Sequence, residues 1–338
     1  MSEAEWLPVV WAALIAFAVM AYVLLDGFDL GVGILFAVER EHAERGVMIN
    51  SIAPVWDGNE TWLVLGGGGL LAVFPMAYGI VLPALYPTLI AMLLALIFRG
   101  VAFEFRFRAE TEFGRWWWDS AFWLGSTLAA FAQGLTLGGL LQGIKVRNGA
   151  YAGGWFDWLS PFTMLCGVAV VIGYGLLGAT WLVWRTEGGL WRRARRYAWW
   201  LGLATLALIG VVSLWSPFLH PQFFHRWFGW PGIALTAPVP VLMLALAAGF
   251  FVSLAKEHHA TPYLCAAGWF VLCFAGLGIS FWPLMVPPDV TIWQAAAPPE
   301  SQMFLLVGAV FLVPVILAYT VYAYWVFRGK MGEDSHYH

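Results

Sequence analysis

The acidic residues of this chain fall where carboxylates are rare, and their spacing suits the holding and passing of protons. Asp26 and Asp29, in the run Leu25-Asp26-Gly27-Phe28-Asp29-Leu30-Gly31-Val32-Gly33, are three residues apart and share one face of a helix, while the glycines let a neighbouring helix come close. A partly desolvated carboxylate pair of this kind repels and shares protons. Bonded to a partner helix or placed near the water interface, the same pair only fixes packing. A second group is Met48-Ile49-Asn50-Ser51-Ile52-Ala53-Pro54-Val55-Trp56-Asp57-Gly58-Asn59-Glu60-Thr61-Trp62. Ser51 is expected to cap a helix with Pro54 in its first turn, which sets Asp57 and Glu60 one to two turns inside it. A first-turn acid can serve the helix dipole, but Asp57, Asn59, Glu60 and Thr61 between Trp56 and Trp62 are denser than capping requires and favour proton uptake. A third acid, Glu104, follows Phe98-Arg99 in Phe98-Arg99-Gly100-Val101-Ala102-Phe103-Glu104-Phe105-Arg106-Phe107-Arg108. Spacing alone reads it as a salt bridge to Arg108 one helical turn on.

These acids stand out because of the chain that carries them. Of 338 residues, 61% are hydrophobic and 11% charged, with 22 Trp, 25 Phe and 11 Tyr, and the mean hydropathy is +0.76. An ordinary soluble domain is about a quarter charged, so this is a polytopic membrane protein. Acids at lipid depth are costly and mark proton or ion paths by default. Net charge is −3 with 17 Lys and Arg, which leaves no basic surplus for phosphates and excludes a nucleic-acid partner. Cys166, Cys265 and Cys273 lie in apolar runs without CxxC spacing and read as small core residues. Nucleophilic triads, phosphate loops and HExxH metal helices are absent from the sequence.

Apolar runs of about 20 residues place nine helices at roughly 8–36, 51–73, 77–98, 118–141, 159–184, 198–216, 235–255, 262–285 and 303–327. Pro75 marks a tight turn between the second and third. Met1 to Glu5 is acidic and runs straight into the first apolar stretch, unlike a cleaved signal peptide, so that segment is expected to be retained. With the N-terminus outside, the inside segments hold 14 of the 17 basic residues and the outside ones only Lys145, Arg147 and Arg226. That asymmetry predicts an N-out, C-in arrangement. The two largest basic loops, 99–117 and 185–197, are four helices apart, hinting at two similar four-helix bundles with a ninth helix added. Gly66 to Gly69 reads as a close helix contact.

The seven histidines, His42, His220, His225, His258, His259, His336 and His338, all fall outside the expected spans. Membrane haem is normally held by intramembrane His, or His with Met, so no haem or metal is expected on this chain. His258 and His259 read as interfacial polar residues, and His336 and His338 belong to a frayed tail.

The Asp26 to Gly33 run, the Met48 to Trp62 run and Phe98-Arg99 with Glu104 together resemble subunit II of the cytochrome bd-type quinol:oxygen oxidases, including the cyanide-insensitive branch. Length, helix count and orientation extend the resemblance to the whole chain, while the specific motifs lie in its first third. The resemblance implies an all-α membrane fold: a four-helix bundle over 1–141, a second over 142–285, and a peripheral ninth helix with a cytoplasmic tail over 286–338. It implies a pseudosymmetric partner, subunit I, carrying the quinol site, two b haems and one d haem, in a bacterial inner membrane. A small single-helix subunit and a structural quinone or lipid are options it leaves open. Asp57 is then the proton entrance and Glu104 a further station, with Asn59, Glu60, Asp26 and Asp29 on the same path and Trp62 near an oxygen route. Some relatives have Asp where this chain has Glu104. The reaction implied is oxidation of two quinols and reduction of O2 to water, with protons taken from the cytoplasm and released outside.

A secondary transporter is the chief rival, since it too wants carboxylates at the membrane midplane; it lacks matching broken helices, and no proline is expected within helix 1. A purely structural subunit is the third reading.

Overall fold

The computed structural model describes residues 3–331; His336 and His338 lie outside the described residues. Peptide groups inside a bilayer must find their bonds within the segment, and the chain accordingly folds as helices. These are α1 (Glu3–Leu35), α2 (His42–Ile52), α3 (Trp56–Val73), α4 (Pro75–Phe105), α5 (Glu112–Gln142), α6 (Pro161–Arg185), α7 (Gly188–Trp215), α8 (Pro221–Phe228), α9 (Gly232–Thr236), α10 (Pro238–Ala255), α11 (Thr261–Phe281), α12 (Ile292–Ala295) and α13 (Pro299–Val326). Two short antiparallel hairpins sit in the longest connections: β1 (Val146–Arg147) with β2 (Ala150–Tyr151), and β3 (Leu284–Val286) with β4 (Val290–Thr291).

Among the described residues, eight helices are long and apolar enough to cross a membrane: α1, α4, α5, α6, α7, α10, α11 and α13. The span expected over 51–73 is instead broken in two. Ser51 does not cap it: its hydroxyl donates to the Met48 carbonyl at 2.7 Å inside α2, and α3 starts afresh at Trp56 behind Val55, without a side-chain cap. Pro54 lies in the turn between them, not in a first helical turn. The remaining 18 residues of α3 open on Asp57, Asn59 and Glu60, and this polar first turn takes the helix below the hydropathy of the other eight.

Other boundaries moved outward. Helix α4 continues past the expected end at 98 to Phe105, so Arg99 is a buried helical residue and drops out of the loop-charge count that orients the chain. The expected basic loop 185–197 shrinks to Thr186 and Glu187, because the four arginines from 192 to 196 form the first turns of α7. Arginine favours helix and reaches water from it along its stem. Helix α1 begins early enough to enclose Pro8, contrary to the expectation of a proline-free first helix. The break at Pro75 is where the sequence puts it, with Phe74 as a non-helical joint (φ −124°, ψ 59°). A further kink at Leu85 (φ −114°, ψ 17°) lies between Pro83 and Pro87, each of which deprives the helix of a backbone donor.

Helices pack in lipid by close backbone approach at small residues. Helices α1 and α6 cross at Gly31 and Gly178: a methyl on Gly31 would sit 1.9 Å from the Tyr174 carbonyl oxygen. Helices α5 and α6 meet at Gly134 and Gly167, and α5 meets α4 at Gly125. Of the Gly66 to Gly69 run, Gly66 and Gly69 face Val19 and Ile15 of α1 while Gly67 and Gly68 face open space, so half of the run makes the expected contact. Cys166 and Cys265 are buried, and Cys273 is half-buried. Helix α13 lies at the periphery, with none of its apolar window buried. It is pinned to α1 by Trp11, whose indole donates to the Gln302 carbonyl at 3.1 Å.

Candidate functional site

Asp26 and Asp29 each have a separate partner inside the fold. Both are fully buried. The Arg99 guanidinium of α4, 1% exposed, donates to Asp26 at 3.0 Å. Asp29 instead accepts from the Asn59 amide of α3 at 2.7 Å. The same amide nitrogen reaches the Leu25 carbonyl at 3.3 Å, and the Asn59 carbonyl oxygen accepts from the Tyr324 hydroxyl of α13 at 2.9 Å. One asparagine thus ties three helices together. On the inner side, Tyr22 lies within reach of the Asp26 carboxyl. Gln133 donates to the Tyr22 hydroxyl at 2.7 Å and accepts from Tyr174 at 2.8 Å. The network leaves Asp26 Oδ2, Asp29 Oδ1, and Arg99 Nε and Nη2 buried without protein partners. Buried polar atoms in such a group are normally bridged by ordered water.

The acids grade from water to interior. Asp57, in the first turn of α3, is exposed; Glu60, one turn on, is half-buried, close enough to sense the charges of Asp26, Arg99 and Asp57. Asp29 and Asp26 complete the series. A cavity of about 10 Å³, lined by Ser51, Pro54, Val55, Trp181, Arg185, Tyr324 and Phe327, lies beside Tyr324 and has room for about one water. A second cavity, about 300 Å³, is elsewhere: it lies at the kink of α4, beneath the 143–160 connection, lined by Gln142, Lys145 and Asp157 among others.

Glu104 does not join this cluster. It is exposed, and among the described residues it pairs with nothing, Arg108 included. Helix α4 ends at Phe105 and residues 106–108 form a 3₁₀ turn, so the i, i+4 face that the salt bridge needs is not built; Arg108 instead lies over the Phe105 ring at 5.8 Å. Trp62 is 1% exposed, edge-on to Phe17 at 5.7 Å.

Sequence reasoning missed the partners Arg99, Tyr22, Gln133, Tyr174 and Tyr324. Two had a legible signal: the apolar run continues beyond Arg99 through Val101 and Ala102, and Gln133 is an amide in mid-span. It also missed Asp119, which is buried and accepts from Arg106 at 2.5 Å and Arg45 at 2.8 Å at the end of the bundle.

Residues 7–327 match the family of cytochrome bd terminal oxidase subunit II. The chain belongs to that family. Similar relatives include the cytochrome bd-I ubiquinol oxidase subunit 2 of Escherichia coli (strain K12), 29% identical over 370 residues, which span 99% of this chain and 98% of the relative. The cytochrome bd ubiquinol oxidase subunit 2 of Bacillus subtilis (strain 168) is 28% identical over 336 residues, with 96% and 97% covered. The solved bd oxidase from Geobacillus thermodenitrificans shares the fold, with a TM-score of 0.77 at 17% identity over 95% of this chain and 97% of that one. As a bd oxidase subunit II, the chain is a multi-pass inner-membrane component of a quinol oxidase complex, and family membership implies haem on its partner subunit. Among the described residues, no histidine stands in a membrane-length helix, and no three His, Cys, Asp or Glu converge on one point.

Proposed function

We propose that this subunit II carries no haem and brings protons to the redox site of subunit I, which would hold two b haems and one d haem to supply the chemistry of quinol oxidation and O2 reduction to water. The observation that carries the reading is the graded burial of Asp57, Glu60 and Asp29 along two adjoining helices. The Asp57 carboxylate faces water at the mouth and takes up a proton there. Glu60, one turn inward, receives it through water, and the unpartnered Asp29 Oδ1 offers the next acceptor. Arg99 supplies the fixed positive charge that lets carboxylates stand at this depth. Asn59 holds Asp29 in place and, through Tyr324, closes the path against the peripheral helix.

Asp26 supports a second reading for its own position: its ion pair with Arg99 favours helix packing over proton carriage. Glu104 serves as a separate surface station, and Trp62 lines an oxygen route behind Phe17. The membrane layout follows the same reading. Helix α3 makes the ninth span, N-out and C-in, with bundles over 1–141 and 142–285 and the peripheral helix and tail over 286–338. Subunit I, a small single-helix subunit, quinol, O2 and lipid complete the assembly, and the cavity at the α4 kink offers room for a structural quinone or lipid.

The test is Asp57→Asn in the assembled oxidase. Quinol-driven O2 uptake is expected to fall several-fold with the haem spectrum intact, and unchanged turnover would overturn the proton-entrance role. A reduced-minus-oxidised spectrum of this chain alone, beside the complex, checks the haem assignment: bands in the lone chain would refute it.

A further inference from the structure

The four arginines that open α7 divide by the way they face. Arg193 turns inward and bonds Glu39 at 2.9 Å and also Glu44. Arg195 reaches the end of α10, donating to the Leu254 carbonyl at 2.8 Å and pairing with Glu257 at 2.7 Å. Arg192 and Arg196 are exposed, and among the described residues neither has a carboxylate within ion-pair distance. They stand one turn apart on one face, with Cβ atoms about 6 Å from each other. Lys256 is exposed at the end of α10, next to the backbone that Arg195 binds.

Below this pair the same face turns aromatic and then aliphatic. Trp199 and Trp200 are 39% and 66% exposed, and Leu203 and Val211 follow, also exposed. Trp200 lies about 6 Å further along the axis than Arg196. The apolar stretch from Trp200 to Trp215 rises about 22 Å, most of a hydrocarbon core of roughly 30 Å. Tryptophan belts mark the level of lipid head groups, so Arg192 and Arg196 stand at phosphate height with an exposed apolar face of acyl length beneath them.

We propose that this face of α7 binds an anionic glycerophospholipid, its phosphate forked between Arg192 and Arg196, its glycerol beside Trp199 and Trp200, and one acyl chain along Leu203 and Val211. Charge decides the occupant: the helix uses its inward arginines on protein carboxylates and leaves two outward ones with no carboxylate partner among the described residues, at a depth where the available anion is a lipid phosphate. Guanidinium matches phosphate in a two-bond geometry that an ammonium lacks.

The test uses the whole oxidase complex in nanodiscs of equimolar phosphatidylglycerol and phosphatidylcholine, with retained lipid counted by native mass spectrometry after detergent exchange. The wild type is expected to keep phosphatidylglycerol in preference to phosphatidylcholine by on the order of tenfold, two arginine contacts together. Arg192→Gln with Arg196→Gln is expected to abolish that preference without changing haem content, and the double Lys variant to keep part of it. Equal preference in wild type and the Gln variant overturns the proposal, as does a cross-link from position 196 to a partner subunit in place of lipid. Should the double variant fail to assemble, Arg196→Gln alone is measured against the same criterion.

Discussion

Asp26 and Arg99, 73 residues apart in the chain, form an ion pair at 3.0 Å between two helices, α1 and α4, that otherwise hardly touch. The pair is wholly enclosed. Bringing both charges out of water is costly, and their attraction offsets that cost only when both are present. It follows that the pair fixes the relative position of the two helices while holding a charge at the centre of the acid cluster.

Removing one partner should therefore be worse than removing both. Arg99→Gln leaves Asp26 buried and uncompensated and is expected to destabilise the subunit by about 3–5 kcal/mol. Adding Asp26→Asn should restore most of the loss. The yield and thermal midpoint of the haem-bearing complex provide the measurement; a double variant no better than Arg99→Gln would show that the pair contributes nothing to packing.

Gly31→Ala tests the crossing of α1 with α6. Its methyl would meet the Tyr174 carbonyl oxygen at 1.9 Å and the Gly178 nitrogen at 2.7 Å, both backbone atoms that cannot swing aside. The helices must separate, with a loss of several kcal/mol of the order seen for overpacked cores, read as lost assembly. Gly58→Ala, where nothing lies within 4 Å, is the control that should assemble normally.

Glu104 is exposed and has no ion-pair partner among the described residues, so its effect should be on protons and not on folding. If it is a proton station, Glu104→Gln slows haem d reoxidation by several-fold while Glu104→Asp, which keeps the acid on a shorter stem, slows it less. Equal rates in the two variants and the wild type would leave Glu104 as an ordinary surface charge.

The chain's last described residues are held by a salt bridge that responds to pH. Lys330 bonds Glu187 at 2.7 Å, beside the Met331 amide, which donates to the Arg185 carbonyl at 2.7 Å. The Lys330 hydrogen bond and charge hold the Glu187 carboxyl below its ordinary range. A carboxyl lowered in the folded state stabilises above its unfolded pKa and loses that contribution as pH falls through the folded value. The protection of the Met331 amide against hydrogen exchange is therefore expected to fall below the usual glutamate range and at high salt, since the pair is exposed and screened. Glu187→Gln should show the lower protection at neutral pH and no further loss on acidification; a variant that keeps the wild-type pH response would assign the effect elsewhere.

Much of this was legible in the sequence. Glycine every few residues beside Asp26 foretold a close crossing because lipid gives helices little reason to associate except close fit. Pro75 foretold the joint at Phe74. The place where reading failed most plainly was 51–73, where Pro54 and a polar run made a turn and a short helix out of what hydropathy alone smooths into one span. Arg99 and the α7 arginines were misplaced for a related reason: charge at the end of an apolar run looks like loop, although arginine continues a helix readily.

The sequence by itself determined that the chain lives in lipid, that it is helical, and that its acids lie on particular helix faces, because composition and spacing are local and additive. Only the tertiary structure decided which of those acids are paired. Asp26 has an ion pair and Asp29 an asparagine, while Asp57 and Glu104 are exposed to solvent. Partners come from helices tens to hundreds of residues away, and at lipid depth a carboxylate's chemistry is set by whatever stands within about 4 Å of it.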